Sequence, residues 1–474
     1  MKTGSYFFIL ISLIIVLFLG CKTASIAPNE TTPNFIVILS DDQGWNGTSV
    51  QMMDDLPTSK SDYHETPHLE ALANRGMRFS SAYASAPVCS PSRYSIQFGQ
   101  TPARLKMIRV GMNTKHINHQ TPYTIPKLLK KINPDYKTAH FGKWHCGDTK
   151  TTRPLARGFD EHAGLMYSND MWHLHPMQPK HWGKFPLRFW NNGEIEIEDI
   201  QPKDQKNLTK WATEKSVDFI KRNKNKPFFL YTAHSMPHVP LYVSKEFEGI
   251  SGQGLYGDVI AELDWSVGQI NQALKDNGLE DKTMIIFSSD NGPWAGYGDH
   301  AGKTPYREAK ATSFDGGTRS PLIVKYPKMI PPNSASKKVF CSIDLMPTIL
   351  DLAGAPHPDN KIDGKNVLDL MTDKKGAKNP HHYYYFSTGR HLEAIMSANG
   401  RWKLHLPHSY RHVKVAGTDG FDAKYSRPQQ PLALYDMRND PMESKNIISN
   451  YPELADELQQ AAQAYIKKLK NRQK

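Results

Sequence analysis

Cysteine is scarce in this chain, with four occurrences among 474 residues. Small exported domains held by disulfides contain many more, so a disulfide framework is excluded. Internal repeats and low-complexity blocks are also missing, which excludes a repeat array. The rest of the composition, 39% hydrophobic and 22% charged, is that of an ordinary globular protein. At this length, one large domain with a smaller one appended is expected.

Long apolar runs are limited to one, from Tyr6 to Gly20. It is short for a membrane span, which needs about 20 residues, and it fits an export signal. Gly20-Cys21 after Phe18-Leu19 resembles a bacterial lipobox, although Phe18 stands where leucine is usual; a plain signal peptide cleaved nearby is the alternative. We predict a signal peptide over 1–21, lipidation of Cys21, and a tether over 22–32. The protein would then be an exported bacterial lipoprotein, periplasmic or at the cell surface, with membrane contact only through its lipid.

Negative charge is in deficit, and the formal net charge is +12. Such an excess favours polyanionic partners. Nucleic acid is the general expectation for a basic chain, but an exported protein more often meets sulfated or carboxylated glycans, and we predict no nucleic-acid partner. Part of the excess lies in the tail, Ile466–Lys474, which is also typical of a solvated helix end.

Short apolar runs alternate with helical patterns along the first three quarters of the chain. Runs of this kind are typical of strands that are buried on both faces in a parallel sheet. Helical patterns separate them, for example at Thr66–Gly76 and Asp258–Gly278. The predicted strands are Asn34–Ser40, Met77–Ser85, Lys137–His145, Pro227–Ala233, Met284–Ser289 and Leu322–Tyr326. Polar residues follow several of these strands at the edge where ligands bind in open α/β sheets, so we expect one site there.

The stretch Pro356–Pro380 is rich in Pro, Asp and Lys and marks a domain boundary. We predict a catalytic domain over 33–375 and a C-terminal subdomain over 376–474. The subdomain contains four short strand-like runs and a final helix, about Pro452–Leu469, which together predict a small α+β unit.

The stretch Pro87–Arg93 carries the most specific signal in the sequence. Cys89 is followed by Ser90, which can cap a helix, and by Pro91, which fits a first helical position, so a thiol at a helix N-terminus and a nearby anion site are predicted. The pattern C-x-P-S-R resembles the modification motif of the type I sulfatases, in the alkaline-phosphatase superfamily. The resemblance extends from about Asn34 to Ile447; an inert buried thiol is the alternative.

The resemblance implies both a fold and a modified residue. The fold would be a large mixed, mainly parallel sheet sandwiched by helices, with the smaller C-terminal α+β subdomain. A maturation enzyme would oxidise Cys89 to formylglycine, also called 3-oxoalanine. The family usually has Thr-Gly soon after this motif, whereas this chain has Phe98-Gly99-Gln100, and Cys146 replaces a common aliphatic residue. Cys146 and Cys341 are left as the two cysteines that could pair.

Hard oxygen ligands follow two of the predicted strands, Asp41-Asp42 after the first and Asp290-Asn291 after Met284–Ser289. Such oxygens suit Ca²⁺ or Mg²⁺ rather than zinc. Taken singly, each pair could also be a helix cap or a solvated turn. The resemblance implies that all four bind a divalent cation, Ca²⁺ first, together with residue 89.

Five further residues match positions in the family's motifs. These are Arg93, Lys143, His145, His238 and Lys310. The resemblance implies that Arg93 supports the nucleophile and that the other four bind the sulfate group and move protons. One hydroxyl of the hydrated aldehyde would attack sulfur, His238 and Lys310 would protonate the leaving oxygen, and His145 would take a proton from the second hydroxyl.

An aromatic and basic stretch between Asp170 and Trp190 is the candidate for substrate recognition. Its candidate residues are Asp170, Trp172, His173, His175, Lys184 and Arg188. Ring faces suit sugars and cations suit carboxylates or sulfates; the alternative is a covering loop with packed aromatics. The chain is thus expected to be an exported sulfatase acting on a sulfated saccharide. The alternatives are a phosphonate or phosphate ester hydrolase and a non-catalytic polyanion-binding protein.

Overall fold

The computed structural model describes residue 1 and residues 32–105, 123–175, 178–298, 304–358, 362–388, 391–418 and 423–471. Residues Pro33–Lys474 form one compact unit. Cys21, the predicted signal peptide and nearly all of the tether lie outside the described residues, so these expectations remain predictions. Within the described ranges, none of the helices combines the length and the apolar character needed to cross a bilayer.

Strands and helices alternate along the described part of the chain. The strands are β1 (Asn34–Ser40), β2 (Met77–Phe79), β3 (Ala82–Tyr83), β4 (Lys137–Lys143), β5 (Glu161–Leu165), β6 (Phe189–Asn191), β7 (Glu194–Ile197), β8 (Phe228–Ala233), β9 (Thr283–Ser289), β10 (Leu322–Lys325), β11 (Ser334–Ser336), β12 (Phe340–Cys341), β13 (Tyr383–Thr388), β14 (His391–Ser397), β15 (Trp402–His405), β16 (His408–Ser409), β17 (His412–Val415), β18 (Lys424–Ser426), β19 (Gln429–Gln430) and β20 (Ala433–Asp436). The helices are α1 (Pro67–Asn74), α2 (Cys89–Phe98), α3 (Pro102–Leu105), α4 (Ile125–Ile132), α5 (Pro179–Trp182), α6 (Pro202–Gln205), α7 (Leu208–Arg222), α8 (Gly254–Asp276), α9 (Asp315–Thr318), α10 (Leu345–Leu352), α11 (Leu368–Met371) and α12 (Pro452–Asn471).

A ten-stranded sheet in the order β11-β2-β10-β9-β1-β8-β4-β5-β6-β7 forms the centre of the fold. Strands β9, β1, β8, β4 and β5 are parallel, and β1 pairs Phe35 with Phe229 on one side and with Met284 on the other. The flanking strands β10, β6 and β7 pair in antiparallel fashion. The prediction of a large mixed, mainly parallel sheet is therefore confirmed.

Helices cover both faces of this sheet because each central strand is apolar on both sides. Val37 belongs to the core shared with α2, α4 and α10, whereas Ile36 belongs to the core shared with α1, α7 and α8. All seven residues of β1 are buried. A strand buried in this way has a continuous apolar sequence, which is the pattern that predicted it.

The C-terminal part forms an antiparallel sheet in the order β13-β14-β15-β20. Its apolar side chains Ile395, Leu404 and Leu434 pack against Leu458 and Ala462 of α12. Between β15 and β20 the chain forms two further antiparallel pairs, β16 with β19 and, inside it in sequence, the hairpin of β17 with β18. The predicted smaller α+β arrangement is present, while the boundary at residue 375 stays a prediction.

The segment Met77–Ser85 is the clearest departure from the predicted strands. It forms two strands of three and two residues, and they belong to different sheets. The first is paired with β10 and β11, and the second with β12. The chain thus leaves the large sheet before it reaches Cys89.

Candidate active site

Two strand ends of the large sheet bring four oxygen-bearing residues together. Asp41 and Asp42 follow β1, and Asp290 and Asn291 follow the neighbouring parallel strand β9. The Asp42 backbone N–H donates to Asp290 Oδ1 at 3.2 Å, and Asn291 Nδ2 donates to Asp42 Oδ1 at 2.7 Å. Asp42 has a left-handed backbone, with φ of 63°, which turns its side chain at the strand end. All four residues are buried.

Cys89 lies at the first position of α2, next to these carboxylates. Its Sγ and carboxylate oxygens of Asp41 and Asp290 lie within 4.8 Å of one another. The cap is Val88, with no side-chain hydrogen bond, so the expectation that Ser90 caps the helix and Pro91 begins it is wrong. Pro91 is tolerated because the amides of a first helical turn have no intrahelical partner.

The Cys89 thiol is poorly suited to act as a nucleophile in its unmodified form. Burial raises its pKa to about 11, Asp41 and Asp290 add to this effect, and Lys143 and Lys310 oppose it. Because the thiolate is the reactive form, this side chain is a neutral, weak nucleophile near neutral pH. The unmodified thiol therefore does not account for catalysis at this position.

Two buried oxygens at the site have no hydrogen-bond partner among the described residues, namely Asp41 Oδ1 and Asn291 Oδ1. Buried polar atoms normally have a partner, so these oxygens indicate a missing ligand. The surrounding donors are carboxylates and an amide, which suit a hard divalent cation. The residues present therefore fit Ca²⁺ or Mg²⁺.

The two carboxylates nearest Cys89 differ in their proton affinity. Burial would raise the pKa of Asp41, but the charges of Lys143 and Arg93 hold it well below its usual range. Burial and the charge of Asp41 raise the pKa of Asp290 to about 7. Like charges that share a buried site oppose each other's ionisation, and a divalent cation would relieve that opposition.

Three cations face the acidic residues. Arg93 Nε donates to Asp290 Oδ2 at 2.7 Å, and its Nη1 donates to the Lys143 carbonyl at 2.7 Å. Lys143 Nζ donates to Asp41 Oδ2 and, at 3.2 Å, to Ser168 Oγ. Lys310 Nζ donates to Asp42 Oδ2 at 2.6 Å. The predicted cationic residues thus lie at the same edge as the predicted ligands.

Both predicted catalytic histidines are buried near these cations. His238 Nε2 is 3.6 Å from Asp42 Oδ2, and its Nδ1 is 2.5 Å from the Val239 carbonyl. Burial lowers the pKa of His238, and the charge of Lys310 acts in the same direction. Burial, Lys143 and Arg93 hold the pKa of His145 well below its usual value. Each imidazole is therefore neutral near neutral pH.

His145 lies outside β4, which ends at Lys143. Its φ of 53° breaks the alternation that predicted Lys143 and His145 on one face of a strand. Neither ring nitrogen of His145 has a hydrogen-bond partner in the described part of the chain. The ring is thus a neutral group with a free acceptor, as a general base requires.

The predicted recognition stretch between Asp170 and Trp190 has mixed outcomes. Trp172 is 0% exposed and packs against Tyr242 at a ring-centroid distance of 6.1 Å, so it has no free face for a sugar and that expectation is wrong. Arg188 is paired with Glu198 at 2.5 Å. Lys184 is exposed, and its role stays a prediction.

Of the three polar residues at the start of this stretch, two are buried against each other and the third is partly exposed. His175 Nε2 is 3.5 Å from Asp170 Oδ2, and both residues are buried. His173 Nδ1 is 3.9 Å from Asp199 Oδ2 and is partly exposed. Burial would raise the pKa of Asp170, but the charges of His238, His175 and Lys143 lower it. Asp170 is therefore close to His238, and its contact with a substrate stays a prediction.

Sequence reasoning missed Ser168 and Trp294. Ser168 accepts from Lys143, as described above. The Trp294 ring lies 5.0 Å from Lys310 Nζ and 5.7 Å from the His238 ring. Trp294 follows the predicted ligand Asn291 by three residues, and this proximity in sequence was the signal that could have identified it. Cys146 and Cys341, whose pairing was left open, are buried free thiols.

Comparisons with known proteins agree with this geometry. The family model Sulfatase matches residues 33–355, and a second one, N-sulphoglucosamine sulphohydrolase, C-terminal, matches residues 309–472. The N-acetylgalactosamine-6-sulfatase of Mus musculus is 34% identical over 397 residues, covering 79% of this chain and 72% of the mouse protein. The first of these family models spans all the residues of the candidate site.

Two solved structures share the fold. The PsFucS1 sulfatase from Pseudoalteromonas sp. has a TM-score of 0.80 at 24% identity, covering 93% of this chain and 91% of that chain. Ps i-CgsB in complex with k-i-k-neocarrahexaose has a TM-score of 0.74 at 26% identity, covering 92% of each chain. With the family model matching most of its length, this chain belongs to the sulfatase family and is a sulfuric ester hydrolase.

Proposed function

We propose that this protein is an exported sulfatase that removes sulfate esters from a sulfated glycan, using a formylglycine made from Cys89 and a divalent cation. One observation carries the proposal. Cys89 begins a buried helix beside Asp41 and Asp290, where oxygens of Asp41 and Asn291 lack partners among the described residues. The cysteine motif, the carboxylates and the cations therefore share one edge of the sheet.

Modification of Cys89 supplies what the buried thiol does not have. A hydrated aldehyde at this position provides a hydroxyl nucleophile and a second hydroxyl through which the aldehyde can be restored. Lys143 and Lys310 oppose the effect of burial on the proton affinity of residue 89, so their charges would favour the ionised form of a hydroxyl there. A serine or an unmodified cysteine has no second hydroxyl.

Asp41, Asp42, Asp290 and Asn291 would hold the cation, and Ca²⁺ is the preferred candidate. When bound, it supplies Lewis-acid polarisation of a sulfate oxygen and orients the ester. Arg93 fixes the site by bonding both Asp290 and the carbonyl at the end of β4. The arginine thereby holds the ends of two strands in one arrangement around the ion.

The remaining residues would bind sulfate and move protons. Lys143 and Lys310 carry the positive charge that an anionic sulfate ester requires, and each lies within hydrogen-bond distance of a ligand carboxylate. Neutral His145 has a free ring nitrogen and would accept a proton from residue 89. His238 and Lys310 are placed around the same Asp42 carboxylate, and we assign them the protonation of the leaving alcohol.

The substrate class rests on the relatives and on charge. The mouse relative is named N-acetylgalactosamine-6-sulfatase, and a solved relative is bound to a neocarrahexaose. The net charge of +12 favours anionic polysaccharides. A sulfated hexosamine or galactose residue within an oligosaccharide is the first substrate to test.

The cellular location follows from the N-terminal sequence. An apolar run followed by Gly20-Cys21 supports export and lipid attachment through Cys21. The protein would then act in the periplasm or at the surface of a bacterium, where sulfated glycans are accessible. Metabolic labelling with a fatty acid analogue, compared between the full chain and Cys21→Ser, tests this part independently of activity.

The enzymatic test uses full-length protein co-expressed with a formylglycine-generating enzyme. Mass spectrometry of the tryptic peptide Phe79–Arg93 should show the aldehyde in place of the thiol. Release of sulfate from a 6-sulfated N-acetylgalactosamine oligosaccharide should exceed turnover of an aryl phosphonate, and Cys89→Ala should abolish it. Faster phosphonate hydrolysis would indicate an ester hydrolase of the same superfamily. Glycan binding without turnover would indicate a polyanion-binding protein.

A further inference from the structure

The β17–β18 hairpin of the C-terminal part packs against the segment that follows Asn291. A Cβ placed on Gly296 would lie 2.3 Å from the Tyr425 hydroxyl, so a larger residue there would have to displace that side chain. A Cβ on Gly298, whose φ is 114°, would lie 2.7 Å from the Gly417 carbonyl. Two glycines therefore fit the hairpin closely to the rim of the active site.

Arg411, the residue before β17, is held at this rim by two aromatic rings. Its guanidinium carbon is 3.8 Å from the centroid of Tyr425 and 5.3 Å from that of Trp294. The Trp294 ring is also 5.0 Å from Lys310 Nζ and 5.7 Å from the His238 ring. Arg411 and the catalytic Lys310 therefore border the same ring.

Among the described residues, the guanidinium N–H groups of Arg411 have no hydrogen-bond or ion-pair partner. No carboxylate in the described ranges forms an ion pair with Arg411, and no acceptor there takes a hydrogen bond from it. Glu308, which lines the same pocket, is paired instead with His412 at 3.0 Å. Arg307 shows the contrast, because it donates to the Glu443 carbonyl at 2.8 Å and to the Tyr410 hydroxyl at 3.0 Å. Arg411 is also only partly buried.

This combination points to a ligand rather than to a structural role. Stacking on a ring face fixes the plane of a guanidinium and leaves its N–H edge free for a bidentate anion. An arginine that only stabilised the hairpin would gain from a carboxylate partner, as Arg401 does with Asp436 at 3.1 Å. A fixed cation without such a partner beside a sulfate-binding site suits a second anionic group on the substrate.

We propose that Arg411 is a specificity-determining residue that binds a second anionic group, a carboxylate or a further sulfate, on the glycan whose scissile sulfate lies at Cys89. The inference rests on the proposed glycan sulfatase function. Arg411 and Lys310 Nζ are each close to the Trp294 ring, so their separation cannot exceed the sum of the two distances to its centroid. Substituents of one disaccharide can span that separation.

Binding to the full chain in the Cys89→Ala background tests the inference without consuming the ligand. Calorimetry in Ca²⁺ would compare N-acetylgalactosamine 6-sulfate, which has one anionic group, with two ligands that have a second. These are N-acetylgalactosamine 4,6-disulfate and a glucuronate-containing chondroitin 6-sulfate disaccharide. Arg411→Ala should weaken the binding of at least one of the two ligands with a second anionic group about tenfold or more. It should change the affinity for N-acetylgalactosamine 6-sulfate by less than about twofold. The ligand that responds identifies the group as sulfate or carboxylate.

Two further variants separate charge from packing. Arg411→Met keeps an apolar stem against Tyr425 and should behave like Arg411→Ala, whereas Arg411→Lys should restore part of the discrimination. Lys414→Ala removes one positive charge from an exposed position of the same hairpin, outside the pocket, and should leave all three affinities within about twofold.

Two results would overturn the inference while leaving the sulfatase function intact. One is an equal loss of affinity in Arg411→Ala for the ligands with one and with two anionic groups, which would mean that Arg411 only holds the Trp294 ring in position. The other is an unchanged ratio of affinities in Arg411→Ala while the enzyme with intact Cys89 still releases sulfate from these sugars. Failure of all three ligands to bind the parent protein would overturn both the proposed substrate class and the inference.

Discussion

Replacement of Asp290 by Asn gives the sharpest test of the proposed cation site. Asp290 accepts from Arg93 Nε at 2.7 Å through one oxygen and from the Asp42 amide at 3.2 Å through the other. Asn has nearly the same shape but only one acceptor oxygen and no charge. The variant should therefore fold and bind the cation much more weakly, while relief of the repulsion from Asp41 offsets the weakened hydrogen bonds in the calcium-free protein.

The magnitude follows from linkage between binding and stability. Removal of a residue that only hydrogen-bonds to a metal ligand typically lowers metal affinity 10–100-fold. Removal of the charge of a ligand itself should therefore lower it about 100-fold, or roughly 2.7 kcal/mol. With Ca²⁺ about 1,000 times the wild-type Kd, the native state gains about 4.1 kcal/mol. The same concentration is only about ten times the Kd of the variant, so its gain falls to about 1.4 kcal/mol.

The assay is thermal or urea unfolding of each protein with excess Ca²⁺ and with a chelator. Comparison of each protein with its own calcium-free state removes the hydrogen-bond cost from the result. Glu262→Gln is a matched control, because Glu262 is a buried carboxylate outside the site and its replacement should leave the calcium-dependent gain unchanged. The reasoning would be refuted by a wild-type protein that is indifferent to chelation, or by a variant that gains as much from Ca²⁺ as the wild type.

Three further predictions concern charge in other parts of the protein. Burial raises the pKa of Glu262 to about 7. Between about pH 4.5 and 7 the folded state therefore keeps a proton that the unfolded state has lost, and stability falls as the pH rises through this range. Glu262→Gln should stabilise the protein at pH 8, on the order of 2–3 kcal/mol by urea unfolding, and should change its stability little at pH 4. Lys403 is fully buried between Asp315 at 2.8 Å and Glu443 at 3.0 Å. Lys403→Met should therefore lower the free energy of unfolding by about 3–5 kcal/mol in the same assay, because it leaves two buried carboxylates without this cation. Lys414→Met, at an exposed position, should lower it by less than about 0.5 kcal/mol. Added salt should raise the KM for a sulfated oligosaccharide more than the KM for an aryl sulfate, because the Debye length is only about 8 Å at physiological ionic strength. Steady-state kinetics with equal salt dependence for the two substrates would contradict this.

The sheet and its ligand-binding edge could be predicted because both depend on local patterns. Each central strand is a continuous apolar run, and its first polar residues mark where it ends. Parallel strands place those ends at one edge, so Asp41 and Asp290 had to approach each other once β1 and β9 were neighbours. The register between these strands, which brings Asn291 to Asp42, could not be derived from either strand alone.

The burial of Trp172 and the pairing of Arg188 in the recognition stretch could not be predicted, because both depend on residues elsewhere in the chain. Trp172 is covered partly by Tyr242, seventy positions further along the chain. Arg188 is neutralised by Glu198, which lies on the other side of a small hairpin connection. Composition alone gives the same weight to an exposed aromatic or cation and to one whose surface is already occupied.

Besides the proposed role of Arg411, the C-terminal part contacts the candidate active site through buried charged residues. The segment after Lys310 is joined to it where the Asp315 amide donates to Glu443 at 2.7 Å and Ser313 Oγ donates to Glu393 at 2.8 Å. Lys403 of β15 donates to the same Asp315, so loss of this sheet would remove one of the two cations that pair with this buried carboxylate, the other being Arg319 at 3.2 Å. Because such a loss is costly, the position of Lys310 depends on the C-terminal sheet. The residues proposed to bind sulfate and the residue proposed to bind the rest of the glycan are therefore held by one structure, and we expect a change in the hairpin sequence to alter specificity while the chemistry proposed at Cys89 is retained.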